Sequence, residues 1–79
     1  MDFVNIGFGN AISKDKVVAV LTQDSAPIKR IIQDAKEKTV LIDATCGRKT
    51  KSVIVMNSGH VILSGLQLET ITNRLSEKE

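Results

Sequence analysis

The chain has 79 residues, a formal net charge of +2 and 42% apolar residues. A domain of this size buries about 60% of its unfolded surface, which leaves little room for a deep cofactor pocket or for catalysis within one subunit. Cys46 and His60 are the only residues of their kinds, which excludes an intrachain disulfide and a thiolate zinc site. We therefore expect one domain over residues 1–79, with no enzymatic activity, cofactor, metal or small-molecule substrate.

Self-association is the expected source of stability. The chain has no Trp or Tyr and only two Phe, so its core has to be aliphatic. Small aliphatic domains usually need a disulfide, a metal or a partner subunit, although some fold alone. The first residues predict no signal peptide, no run approaches about 18 apolar residues, and a lone cysteine fits a reducing compartment. These features predict a cytoplasmic homo-oligomer without a membrane segment.

The first half of the chain predicts two strands and a helix. Residues 3–6 form a short strand, and 16–21 form a second, β-branched strand. A helix begins after a cap at Asp24 or Ser25. One helical face collects the apolar residues Ile28, Ile31, Ile32 and Ala35.

The stretch Gly7-Phe8-Gly9-Asn10 ends the first predicted strand. Two glycines around one aromatic predict a tight bend. A dinucleotide-binding loop would also need a third glycine, a helix directly after it and a later acidic residue, and these are missing here. The favoured interpretation is a turn with Phe8 in the core.

The second half predicts a three-strand antiparallel meander and a last helix. The strands are residues 40–44, 52–56 and 61–64. Short connections imply antiparallel neighbours, so 46–50 is expected to be a hairpin loop. The last two strands lack polar alternation, which predicts cover on both faces, by a helix on one side and by another subunit or helix on the other. The last helix spans 68–75, and 76–79 are expected to fray.

The region between Asp43 and Glu69 contains no acid, and Arg48, Lys49 and Lys51 lie close together within it. A protruding turn with a guanidinium, two ammonium groups and hydroxyls suits phosphate contacts. The alternative is a solvated turn kept soluble by its charge. Asp43 is expected to accept backbone N–H bonds or to pair with Arg48 or Lys49. The scarcity of aromatics disfavours single-stranded nucleic acid as a ligand.

Cys46 and His60 are the one conceivable nucleophile and base. They fall in consecutive turns of the predicted meander, at opposite ends of strands roughly 13 Å long. They should therefore not meet within one subunit, and the chain has no other candidate catalytic set.

Four motifs in the same order point to a family. They are Asn5-Ile6-Gly7-Phe8-Gly9-Asn10, Ser25-Ala26-Pro27-Ile28-Lys29-Arg30, Leu41-Ile42-Asp43-Ala44-Thr45 and Gly59-His60-Val61-Ile62-Leu63-Ser64. From about Phe3 to Leu75 the chain resembles the RemA family of extracellular matrix regulatory proteins. The resemblance implies a nucleoid-associated transcriptional regulator of biofilm matrix genes. It also implies a closed homo-oligomeric ring that wraps duplex DNA against a basic rim.

The resemblance also assigns residues. Arg48 matches the first arginine of the family's basic loop, and Lys49 and Lys51 stand where arginine is familiar. Lysine keeps the charge but loses the two-pronged hydrogen bonding of arginine, so phosphate binding is implied more strongly than base contact. Lys16 and Pro27 match positions linked with function in the family.

Together, the sequence and the resemblance predict an α+β domain with one small antiparallel sheet, in a ring that binds the backbone of duplex DNA. Arg48, Lys49 and Lys51 are the main expected contacts, and Lys29, Arg30 and Lys16 are further candidates. Two alternatives stay open: an oligomeric scaffold that binds an acidic protein, and an RNA-binding module.

Overall fold

The computed structural model describes residues 2–77. Its elements in chain order are β1 (Phe3–Gly7), β2 (Asn10–Ser13), a 3-10 turn (Lys14–Lys16), β3 (Val17–Leu21), α1 (Ala26–Glu37), β4 (Leu41–Asp43), β5 (Ser52–Met56), β6 (Val61–Ser64) and α2 (Leu68–Ser76). The α+β class is thereby confirmed. α2 ends one residue later than predicted, at Ser76, and residues 78 and 79 of the predicted frayed tail lie outside the described part.

The strands form two sheets rather than one antiparallel sheet. β1 and β2 make a hairpin, and the other four strands are ordered β3-β5-β6-β4. β5 is antiparallel to β3 and β6, whereas β4 runs parallel to β6 with Ile42 opposite Ile62. The predicted three-strand meander is therefore wrong. The connection 44–51 can cross the end of β6 because eight residues reach much further than the roughly 10 Å across two strand spacings.

The N-terminal part contains three strands where two were predicted. β2 was missed because Asn10–Ser13 has only two apolar residues, which gives a weak strand signal. Lys16 belongs to the 3-10 turn rather than to β3. The predicted tight bend is present: Gly7, Phe8 and Gly9 have φ angles of 104°, 55° and 79°.

The four-stranded sheet is covered on both faces by the chain itself. On one face α1 packs through Ile28, Ile32 and Ala35 against a cluster that includes the buried Val53 and Val61. The other face carries a second cluster, to which the hairpin and α2 contribute Val4, Ile6 and Ile71. This arrangement explains why β5 and β6 lack polar alternation. Covering the sheet therefore requires no second subunit. The fourth residue of the predicted helical face, Ile31, is 37% exposed.

Two buried serines join the layers. The Ser64 hydroxyl donates to the Ile6 carbonyl at 2.9 Å and accepts from the Leu66 N–H at 3.1 Å. The Ser52 hydroxyl donates to the Leu66 carbonyl at 2.8 Å. Both serines are 0% exposed. They therefore tie the end of β1 and the approach to α2 to the central strands.

Between residues 2 and 77, neither helix is long and apolar enough to cross a membrane.

Candidate nucleic-acid interface

The predicted cationic residues lie in the connection from β4 to β5, residues 44–51, which we call the basic loop. Both of its ends are bonded to β6. The Ala44 N–H donates to the Leu63 carbonyl at 2.9 Å, and the Lys51 N–H donates to the Ser64 carbonyl at 2.8 Å. Because these anchors lie on adjacent residues of one buried strand, the loop is held against the end of the sheet.

Asp43 organises the entry to the basic loop. Its Oδ1 accepts the Thr45 N–H at 2.9 Å and the Thr45 hydroxyl at 2.6 Å. These two bonds stabilise the carboxylate, with the hydroxyl contributing most, and they lower the pKa of Asp43. The expected backbone contact is thereby confirmed. The alternative partners Arg48 and Lys49 are not within ion-pair distance of Asp43 in the part of the chain that the structure describes.

Backbone conformation turns the loop outward. Cys46 and Gly47 have φ angles of 57° and 81°, so two successive residues are left-handed, and the Arg48 N–H donates back to the Thr45 carbonyl at 3.0 Å. The side chains of Arg48, Lys49 and Lys51 come next in the loop and are all exposed. For residues 2–77, the one ion pair is between Lys38 and Asp34 on α1, so the three loop cations are available to an external anion.

The turn between β1 and β2 lies beside the basic loop. The Asn10 side-chain amide donates to the Ala44 carbonyl at 3.4 Å and to the Gly7 carbonyl at 3.1 Å. The Arg48 guanidinium carbon lies 4.8 Å from the centroid of the Phe8 ring. Phe8 is 44% exposed, so the prediction that it lies in the core is wrong. Sequence reasoning missed its place at the site, although an aromatic between two glycines was a visible signal.

The basic loop borders an open cleft of about 410 Å³. Residues 22–24, 49–51 and 67–69 line it, so the loop lies between the approach to α1 and the start of α2. Asp24 and Glu69 are among these residues and face the same cleft as Lys49 and Lys51. The local charge is therefore mixed on this side of the loop.

The other predicted contacts lie on separate elements. Lys16 precedes β3, and its carbonyl accepts the Asn57 N–H at 2.8 Å, which places it at the far end of the sheet from the basic loop. Lys29 and Arg30 are exposed on the early part of α1. Pro27 is the second residue of that helix. The structure thus brings together Arg48, Lys49 and Lys51, and separates Lys16 from them.

Cys46 and His60 lie at opposite ends of the four-stranded sheet. Cys46 is in the basic loop, beside the end where Ser52 pairs with Ser64. His60 is in the turn between β5 and β6, where its Nδ1 lies 2.7 Å from the Ser58 hydroxyl. The expectation that the two side chains do not meet within one subunit is confirmed, although β4 pairs differently from the prediction.

Comparison with known proteins supports a regulatory role. The model of the RemA-like family, described as extracellular matrix regulatory protein A-like, matches residues 3–75. Relatives from Bacillus cytotoxicus, Bacillus mycoides and Bacillus cereus are 54% identical over 79 residues, which is all of this chain and 91% of each relative. All three are named provisionally as regulatory proteins. These descriptions are of regulators rather than of enzymes.

Proposed function

Because the chain belongs to the RemA-like family, we propose that it is a transcriptional regulator that binds the backbone of duplex DNA through its basic loop. The loop is repeated around a homo-oligomeric ring, and the regulated genes are those of the biofilm matrix, as the family description suggests. The observation that carries the proposal is the exposed cluster of Arg48, Lys49 and Lys51 on a loop anchored at both ends.

Phosphate is the ligand that this cluster suits best. An arginine can donate two parallel hydrogen bonds to one phosphate, and lysines act as mobile point charges beside it. Anchoring of the loop on β6 limits the conformational freedom that is lost on binding. Backbone contacts of this kind position a protein on DNA without reading bases, so sequence preference should come mainly from how easily the duplex bends.

The free strand edges support self-association. Among the described residues, β3 and β4 each pair on one side only, and they lie at opposite edges of the same sheet. Val18 on β3 is 64% exposed, and Ile42 on β4 is 46% exposed. Unprotected edges with apolar side chains favour pairing with another chain. Contact between two different edges is heterologous, and it generates a ring when the rotation between subunits closes.

A titration of duplexes of increasing length at several salt concentrations tests the proposal. Each neutralised phosphate contributes about 0.9 to the slope of log affinity against log salt, so one loop with three cations reaches at most about 2.7. A repeated loop should exceed that slope and require long duplexes for full affinity. Lys49→Ala should weaken all duplexes about equally and make the slope shallower.

One variant is a matched control, and a second tests the sign of the charge effect. Lys36→Ala removes the same charge from the last turn of α1 and should leave affinity nearly unchanged. Asp24→Asn removes a negative charge from the cleft that Lys49 also lines, and it should tighten binding because the cleft then repels phosphate less. A shallow slope with full affinity on a very short duplex would contradict the repeated loop. Tighter binding of single-stranded RNA or of an acidic protein than of duplex DNA would favour one of the alternatives.

Light scattering without DNA tests the assembly separately. The ring predicts a mass that is a multiple of the 8.6 kDa subunit, and Val18→Lys should lower that mass by charging the β3 edge. A monomer mass at micromolar concentration would refute the ring. In that case a single loop could still bind DNA, but only with a shallow salt slope.

A further inference from the structure

Phe8 has a conformation that its burial does not explain. It lies between two glycines, and all three residues have positive φ angles, with a value of 55° at Phe8. For a bulky side chain this conformation is uncommon and costs free energy, so the surrounding structure has to impose it. Hydrophobic burial does not account for the cost of this conformation, since Phe8 is still 44% exposed. The turn instead directs the ring towards the basic loop.

The ring lies close to two other segments. The Arg48 guanidinium carbon is 4.8 Å from the ring centroid. At Gly65 an added Cβ would come within 3.3 Å of the Phe8 Cε2 atom. The same Cβ would lie 3.9 Å from the Arg48 Cβ. Glycine at position 65 therefore leaves room for the aromatic ring close to the arginine.

We propose that Phe8 is a positioning residue that holds the Arg48 guanidinium ready to receive a DNA phosphate. The inference rests on the proposed function. The negative face of an aromatic ring attracts a guanidinium that lies over it, as Arg48 lies over Phe8. The N–H groups along the edge of the guanidinium stay free for the phosphate oxygens. An arginine that is already oriented loses less conformational freedom when it binds.

Affinity measurements with a long duplex at one salt concentration test this role. Phe8→Leu keeps an apolar side chain at the same backbone position but removes the ring. It should weaken binding about two- to five-fold for each loop that contacts the duplex. Phe8→Tyr keeps the ring and should retain the affinity of the original protein. If Phe8→Leu and Phe8→Tyr both bind as the original protein does, the proposal is wrong.

A double-mutant cycle with Arg48→Ala separates positioning from direct contact. If Phe8 acts through Arg48, Phe8→Leu should have no further effect once the arginine is absent. An equal loss in both backgrounds would mean that the ring touches DNA itself, and positioning would be refuted. If Arg48→Ala weakens binding and Phe8→Leu does not, the proposed function stands and this inference fails. If Arg48→Ala has no effect, both fail.

Proton NMR of the protein without DNA supplies a readout that is independent of binding. The ring current of Phe8 should shift the Arg48 side-chain protons upfield, and Phe8→Leu should abolish the shift while Phe8→Tyr keeps it. Gly65→Ala perturbs the same contact without changing either partner, since its methyl group displaces the ring by a few tenths of an ångström. It should reduce both the shift and the affinity. Arg48 protons at their ordinary positions in the original protein would overturn the proposal.

Discussion

Replacing Ser64 by alanine should destabilise the protein much more than removal of one hydroxyl usually does. The side chain is 0% exposed and bonds two backbone groups, the Ile6 carbonyl at 2.9 Å and the Leu66 N–H at 3.1 Å. Alanine leaves both without this partner; loss of the buried bond to Ile6 should cost about 1–3 kcal/mol, and loss of the partly buried bond from Leu66 should cost about 1 kcal/mol. A total of about 2–4 kcal/mol is expected. At about 4–8 °C per kcal/mol for a domain of this size, the melting temperature should fall by at least about 8 °C.

Thermal and urea unfolding followed by circular dichroism measure this loss. Protein concentration has to be the same for all variants because assembly links stability to concentration. Ser52→Ala removes one partly buried bond, to the Leu66 carbonyl, and should cost about 1–2 kcal/mol. Ser58→Ala alters an exposed turn and should cost less than about 0.5 kcal/mol. If the Ser64 and Ser58 variants unfold at the same temperature and the same urea concentration, the bonds of Ser64 do not hold the layers together and the reasoning is refuted.

Three further substitutions test the basic loop. Hydrogen bonds from Thr45 lower the pKa of Asp43 in the folded protein. The resulting stabilisation is complete above the ordinary pKa of 3.8 and is lost as pH falls through the lowered pKa. In urea melts, the free energy of unfolding should therefore fall less between about pH 6 and about pH 3 in Asp43→Asn than in the original protein. Arg48→Ala should lower the free energy of unfolding by no more than about 1 kcal/mol, the value of an exposed cation–aromatic contact, and a larger loss would make the residue structural. Gly47→Ala should cost about 1 kcal/mol through backbone strain alone, because nothing lies within 4 Å of the added methyl group and φ is 81°. An unchanged melting temperature would show that the loop tolerates another conformation.

Hydrophobic patterning predicted most of the elements but not how they pair. The bounds of β5, β6 and α2 agree closely with the apolar runs and helical spacing, because their side chains are buried where the pattern repeats. The parallel pairing of β4 with β6 was not predictable in this way, since periodicity describes faces and carries no information on neighbours. The short connection between β4 and β5 was interpreted as a hairpin loop, whereas it crosses the end of β6.

The basic loop was predictable because charge can be counted along a sequence. The grouping of Arg48, Lys49 and Lys51 results from their proximity in the chain. The place of Lys16 at the other end of the sheet depends on strand register, which the sequence leaves open. The contact of Phe8 with Arg48 joins residues 40 positions apart, and only the folded arrangement of the hairpin beside the loop brings them together.

The anchoring of the basic loop on β6 sets an order for folding. Both hydrogen bonds that hold the loop ends use carbonyls of Leu63 and Ser64, which come after the loop in the chain. During synthesis the cationic segment therefore leaves the ribosome before the strand that holds it. Pairing of β4 with β6 also joins segments some 20 residues apart. Closing this long loop costs more chain entropy than closing the β5–β6 hairpin, so the β4–β6 pairing should form more slowly. The exposed surface of the basic loop should form after the folding transition state, so loop substitutions should speed unfolding while leaving the folding rate nearly unchanged.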